Sequence, residues 1–175
     1  RGGNSILAAL LLREWGSDKK VWLFDTFAGM TKPDNRDYYL VDGTPAIGHF
    51  IESQEVDHNS WAFSPLEDVK ARFVELGLDG YAEFVVGDVA QTLQNKKQLP
   101  SEISTLRLDT DWYASTKKEL DVLFPLLSTG GVLLIDDYGS WAGSRQATDE
   151  YFAERGLKPF VQMSDFDGRV IVKLA

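Results

Sequence analysis

Apolar residues along this chain fall into short continuous runs separated by segments of helical spacing. Val21-Trp-Leu-Phe-Asp25, Tyr81-Ala-Glu-Phe-Val-Val86, Thr105-Leu-Arg-Leu-Asp109 and Val132-Leu-Leu-Ile-Asp136 are four such runs, and three of them end on a carboxylate. Their length and their Val, Leu and Phe content predict buried strands. Between them, residues 4–15, 65–76, 116–127 and 144–155 carry apolar positions three and four apart, which predicts helices. Asn4 or Ser5 caps the first helix, Gly16 and Gly77 stop the first two, and Thr116 with Glu119 forms a capping-box pattern that opens the third. Gly130-Gly131 resets the chain before the Val132 strand. Phe160-Val-Gln-Met163 and Val170-Ile-Val-Lys-Leu174 flank a turn and read as an antiparallel hairpin. The alternation predicts an α/β fold with a mostly parallel sheet, helices on both faces and an antiparallel C-terminal edge. Residues 31–64 interrupt it. They are polar and aromatic, hold Pro33, Gly43, Pro45 and Gly48, and show no sustained period, so they read as a long insertion or lid with short helices in it.

A length of 175 residues with 43% hydrophobic content predicts a single domain over residues 1–175. The net charge of −9 is spread along the chain, which disfavours nucleic acid as a partner. The chain has no cysteine, so thiolate metal sites, disulfides and cysteine nucleophiles are excluded, in keeping with a reducing, cytoplasmic setting. The apolar run at residues 6–12 is far shorter than the ~20 residues of a membrane span, so no membrane partner is expected.

The strand ends carry the candidate chemistry. Were the third and fourth strands parallel neighbours, their ends would lie ~4.8 Å apart and bring Asp109, Asp136 and Asp137 together. Two like charges 4 Å apart cost roughly 4 kcal/mol at an effective dielectric of 20. Such a cluster must bind a cation, share a proton or find basic partners. Oxygen-only ligands suit Mg²⁺ better than zinc; ordinary loop solvation is the competing reading. Asp111 joins the cluster as a further acid or organises the turn before the next helix. Gly2 and Gly3 precede a helix, where a ligand can approach the backbone and negative charge is favoured, although a tight turn explains them too. Asp25 ends the next strand 22 positions after Gly3 (25 − 3), near the ~20-residue offset at which nucleotide folds place an acid on ribose hydroxyls. It also suits a turn. Asp88 either reaches an adenine edge or caps the helix beginning at Val89. His49 and His58 lie in the insertion without ligand-like spacing and read as solvent-exposed. Trp61, Trp112, Tyr113 and Trp141 read as walls of an acceptor pocket or as core.

Taken together, Arg1-Gly-Gly, Val21-Trp-Leu-Phe-Asp-Thr-Phe-Ala-Gly-Met30, Leu106-Arg-Leu-Asp-Thr-Asp-Trp-Tyr-Ala-Ser-Thr116, Gly130-Gly-Val-Leu-Leu-Ile-Asp-Asp-Tyr-Gly139 and Asp149-Glu-Tyr-Phe152 resemble the macrocin O-methyltransferase family almost end to end. The resemblance implies a Rossmann-like class I methyltransferase sheet and methyl transfer from S-adenosylmethionine to a hydroxyl of a sugar or glycosylated natural product. It further implies cofactor binding by Gly2, Gly3, Ser5, Asp25 and Asp88, with the glycines near the amino-acid part, Asp25 on the ribose and Asp88 near the adenine. Asp109, Asp136 and Asp137 match the Mg²⁺ ligands. Asp109 is then both ligand and base, with Asp111 as the alternative base. The implied partner is a small-molecule acceptor, and oligomeric state is open. In the family a central first strand directly precedes the glycine loop, whereas this chain starts inside that loop. A fragment lacking that strand is therefore expected, with a gap or re-pairing in the sheet. Three other readings compete. Asp109-Thr-Asp111 also looks like the DxD pair of a metal-dependent phosphohydrolase or nucleotide-sugar transferase, but it follows three strands and no Gly-x-x-x-x-Gly-Lys loop is present. A dinucleotide oxidoreductase would leave the second acidic strand end unexplained, and a truncated, non-catalytic nucleotide-binding module remains the non-enzymatic reading.

Overall fold

Each predicted strand forms, and the strands pair in two separate sheets. The structure is a computed structural model that describes residues 2–174; Arg1, the first residue of the opening motif, lies outside the described residues. The chain divides into two compact units, one holding residues up to Thr31 together with Ser53–Thr92, the other Lys32–Glu52 and the chain from Leu93 onward.

In the first unit, helix α1 (Gly3–Glu14) leads into strand β1 (Val21–Asp25), and helix α3 (Leu66–Glu75) into strand β2 (Ala82–Val86). The two strands run parallel in register, from Val21 opposite Ala82 to Asp25 opposite Val86. Val69 and Phe73, four apart on α3, turn inward with Ala9, Leu23, Phe27 and Leu78 to form the core. Glu67 and Asp68 occupy the first turn of α3, where acids suit the positive end of the helix. The short helix α4 (Val89–Thr92) follows β2.

In the second unit, strand β3 (Ile103–Leu108) pairs parallel with β4 (Leu127–Ile135), and β4 pairs antiparallel with β6 (Arg169–Val172), which pairs antiparallel with β5 (Val161–Met163). The C-terminal hairpin is thus the antiparallel edge that the sequence predicts. No strand pairing joins β1 or β2 to this sheet among the described residues. Helices α5 (Tyr113–Leu123) and α6 (Ala142–Glu154) cover it, and Phe124, Tyr151 and Phe152 pack edge to face with centroids 5.3 to 5.5 Å apart.

Several boundaries differ from expectation: α1 opens at Gly3 with Gly2 as its N-cap, so Asn4 and Ser5 lie inside the helix and do not cap it. Helix α5 starts at Tyr113, so Thr116 lies inside it and is no cap; Glu119 is buried and accepts a hydrogen bond from Thr110 Oγ1 at 2.9 Å. Strand β4 begins at Leu127, five residues before Val132, because Phe124–Leu126 makes a 3₁₀ turn that delivers Leu127 straight to the sheet, opposite Ile103. Gly130, at φ 80, bends the strand there instead of starting it, and its N–H still bonds to the Lys173 carbonyl. The insertion is divided between the units, and its one helix is α2 (Ala46–Glu52). Among the described residues no helix is long and apolar enough to cross a membrane.

Candidate functional site

The acid cluster follows from strand alternation. Leu106 and Leu108 on β3 and Leu133 and Ile135 on β4 face the core, so the residues between them face the other way. Leu108 stands opposite Ile135, and the Asp136 N–H continues the ladder to the Leu108 carbonyl at 3.0 Å. Asp109 and Asp136 therefore leave adjacent strand ends side by side.

Beyond Asp109 the chain turns sharply. The Trp112 N–H bonds to the Thr110 carbonyl at 2.7 Å, spanning Asp111, whose φ is 64. That pattern is a γ-turn with positive φ, a strained conformation for a residue with a side chain. Ser115 Oγ donates to the carbonyls of Thr110 and Trp112, both at 3.1 Å, and Trp112 is buried edge-on against Trp141 with ring centroids 5.1 Å apart. The turn folds Asp111 back so that carboxylate oxygens of Asp109, Asp111 and Asp137 lie within 4.8 Å of one another. This is not quite the set expected from sequence. Asp136 sits beside the cluster and pairs with Arg107 Nη2 at 2.9 Å, while Arg107 Nη1 holds Asp109.

All three gathered acids resist ionisation. Burial, followed by the neighbouring carboxylates, pushes Asp111 up to about 7 and Asp137 up to about 9. Burial pushes Asp109 up to about 6 although Arg107 pulls the other way. Asp109 keeps 45% of its side-chain surface accessible and is the most exposed of the three. Two of the expected forms of relief are visible: a basic partner, Arg107, and a hydrogen bond between Asp111 and Asp137 that shares a proton. They leave excess negative charge, and an all-oxygen donor set of this size fits a hard divalent cation.

The other candidates lie in the first unit. Asp25 and the Gly87-Asp88 step leave the paired ends of β1 and β2, and the Gly87 N–H bonds to the Asp25 carbonyl at 2.9 Å. One Asp25 oxygen accepts from the Phe27 N–H at 2.7 Å, and one Asp88 oxygen caps α4 through the Ala90 N–H at 2.9 Å. Both local roles weighed against ligand binding are therefore present. Gly2 N-caps α1 at φ 75, Gly3 faces open space, and Ser5 is half-buried in the first turn. His49 is exposed, whereas His58 is half-buried, stacked on Phe63 with centroids 4.0 Å apart and paired with Asp57. Trp61 and Tyr113 are half-buried, and Tyr113 carries the Arg36 guanidinium on its ring at 3.5 Å.

Arg107 carries no expectation from the sequence, Glu119 only that of a capping box, and Asp37, whose Oδ1 accepts the Tyr113 N–H at 2.8 Å, none. A lone arginine between two core leucines of a strand was a readable sign, as was an acid on a helix otherwise headed for the core. Asp37 carried none, being one polar residue among many in the insertion.

The family model described as Macrocin-O-methyltransferase (TylF) matches residues 1–172. An 8-demethyl-8-(2,3-dimethoxy-alpha-L-rhamnosyl)-tetracenomycin-C 4'-O-methyltransferase of Streptomyces olivaceus is 35% identical over 170 residues, 96% of this chain and 60% of the relative. A demethyldecarbamoylnovobiocin O-methyltransferase of Streptomyces niveus is 32% identical over 171 residues, 96% of this chain and 61% of the relative. The solved structure of the O-methyltransferase NovP superposes with a TM-score of 0.81 at 28% identity, covering 99% of this chain and 68% of that one. The chain thus spans about three fifths of the length of the curated relatives it matches. Its α/β fold is methyltransferase-like, and by the extent of the family match the chain belongs to the macrocin-O-methyltransferase family.

Proposed function

We propose that this chain is the catalytic part of an S-adenosylmethionine-dependent, Mg²⁺-assisted O-methyltransferase acting on a sugar hydroxyl of a glycosylated natural product. The observation that carries the reading is the convergence of Asp109, Asp111 and Asp137 at the ends of β3 and β4, the edge at which open α/β sheets bind ligands. Family membership supplies the reaction class, and relatives named for tetracenomycin and novobiocin methylation supply the acceptor class.

In this reading Asp109 and Asp137, with Asp136 beside them, hold the cation. Gly2, Gly3, Ser5, Asp25 and Asp88 would hold the cofactor, with the two glycines serving its amino-acid part. When bound, S-adenosylmethionine would supply the methyl group, with S-adenosylhomocysteine as the leaving group, and Mg²⁺ would lower the pKa of a hydroxyl beside it. Asp111 accepts the acceptor's hydroxyl proton as the oxygen takes the methyl, so the base leaves neutral. Without the ion its carboxyl lies at about 7; a bound cation would lower it, keeping the base ionised and ready to accept a proton near neutral pH. Arg107 keeps Asp109 and Asp136 oriented through its two nitrogens.

The test pairs binding with turnover. Calorimetric titration of S-adenosylhomocysteine should show saturable binding, and rhamnosyl glycosides with free hydroxyls should gain a methyl group from S-adenosylmethionine, faster with Mg²⁺ than with a chelator. Absence of saturable S-adenosylhomocysteine binding, or turnover indifferent to chelation, would overturn the respective half of the reading.

A further inference from the structure

Asp37 is a buried acid, 2% exposed, and both of its carboxylate oxygens are committed to backbone. Oδ2 accepts the N–H of Asp34 at 2.7 Å; Oδ1 accepts the N–H of Tyr113 at 2.8 Å, across 76 positions of sequence. Tyr113 is the first residue of α5. Its N–H is one of the four that no helical partner satisfies. Trp112, the N-cap residue, provides no side-chain cap, and the first turn of α5 has no acid of its own. Asp37 supplies both the missing acceptor and the negative charge that this end of a helix favours.

The same segment is bonded to the loop after β4. The Leu40 N–H reaches the Ser140 carbonyl at 2.8 Å, the Ala142 N–H reaches the Tyr38 carbonyl at 3.0 Å, and Tyr39 packs edge-on against Trp141. Residues 37–40 therefore strap together the two loops that carry the acids. Gly143 on α6 leaves them room: a Cβ there would collide with Asp37 Oδ1 and stand 2.7 Å from the Tyr113 nitrogen. Ser115 and Thr110 brace the turn at Asp111 from within residues 110–119. A strained turn persists only where its surroundings over-determine it, and Asp37 anchors the backbone at its far end from outside the segment.

We infer that Asp37 is a positioning residue: by capping α5 at Tyr113 it holds the strained turn at Asp111 and so aims the proposed base. The kinetic part of this inference rests on the methyl-transfer reading above; the structural part does not. Asp37→Asn is nearly isosteric, but its amide NH₂ must face one of the two N–H donors, so one bond is lost in either orientation. Gly143→Ala keeps the Asp37 carboxylate but displaces it from the Tyr113 N–H. Both variants should lower kcat by about 10- to 100-fold, as expected of a misplaced catalytic group, while KM for S-adenosylmethionine and affinity for S-adenosylhomocysteine stay unchanged. In both, amide exchange at Trp112 and Tyr113 should accelerate ahead of exchange in β3 and β4. Wild-type kcat with wild-type exchange at these amides would overturn the inference, as would exchange that accelerates uniformly over the second unit. The exchange measurement needs no turnover and so decides the matter even if the unsubstituted protein transfers no methyl group, a result that would count against the proposed function alone.

Discussion

Asp111 combines a backbone at φ 64 with a carboxyl pushed up to about 7 by burial and the nearby Asp109 charge. A base of that kind is largely protonated at pH 6 and largely ionised at pH 8. Activity should therefore climb through this range and level off above it, and added Mg²⁺ should move the midpoint down, because a nearby cation favours the ionised form. Asp111→Asn should lower kcat by about 10²- to 10⁴-fold without weakening S-adenosylhomocysteine binding. A flat pH profile together with full activity in the variant would remove Asp111 from proton transfer. At this scale the acids were legible in sequence because apolar runs ended on them. Which of them meet was not. The choice of Asp111 over Asp136 depends on a backbone turn that no periodicity encodes, and on Arg107, whose reach to both strand ends requires the register of β3 on β4.

Helix α5 shows what lies behind a boundary read too late. Thr116 and Glu119 have the spacing of a capping box, but Glu119 is buried under the turn after β3 and bonds to Thr110, while the cap comes from Asp37, far away in sequence. The start of β4 was missed for a related reason: Gly130-Gly131 is a strong breaker signal, overridden by pairing of the strand on both sides, with Ile103 and with Lys173. The elements with continuous apolar runs or clear amphipathic spacing, such as β1 and α3, were legible nearly to the residue. The burial of Glu119 has a measurable cost. Burial raises its carboxyl to about 8, so the folded protein keeps it neutral at pH values where the unfolded chain ionises it, above the ordinary 4.5. Unfolding then releases a proton, and stability falls as pH rises from the unfolded value to about 8. Asp109, Asp111 and Asp137 act in the same direction, but Glu119→Gln isolates one contribution, because the amide oxygen still accepts from Thr110. The variant's melting temperature should decline less between pH 5 and 8 than that of the unsubstituted protein and exceed it at pH 8, by about 2 to 4 °C for each kcal/mol relieved. Parallel melting curves across that range would show that Glu119 is not held neutral.

At the scale of the molecule the proposed ligands divide between the two units. The residues assigned to the cofactor, Gly2, Gly3, Ser5, Asp25 and Asp88, all belong to the first, with its own sheet and core, and the acids all belong to the second. A ligand stabilises the part of a protein that binds it, by RT ln(1 + [L]/Kd), or about 2.7 kcal/mol at a hundredfold excess over Kd. Hydrogen exchange should therefore separate the two: S-adenosylhomocysteine protecting the α1 N-terminus and the ends of β1 and β2, Mg²⁺ protecting residues 108–113 and 135–138. The cation should also expel protons, because its ligands must ionise to bind it. With Asp111 near 7 and Asp137 near 9, calorimetry in buffers of different ionisation enthalpy at pH 7 should show release of about one to two protons per ion. The number should shrink as pH rises past Asp137's value. Mg²⁺ protection spread evenly over both units, or binding with no proton release at pH 7, would place the ion away from these aspartates. Cation uptake also offsets part of the chain's net charge of −9, so some stabilisation by any salt is expected from screening alone. Specific binding is distinguished from it by saturation at low concentration and by its loss in Asp109→Asn, which leaves the overall charge almost unchanged.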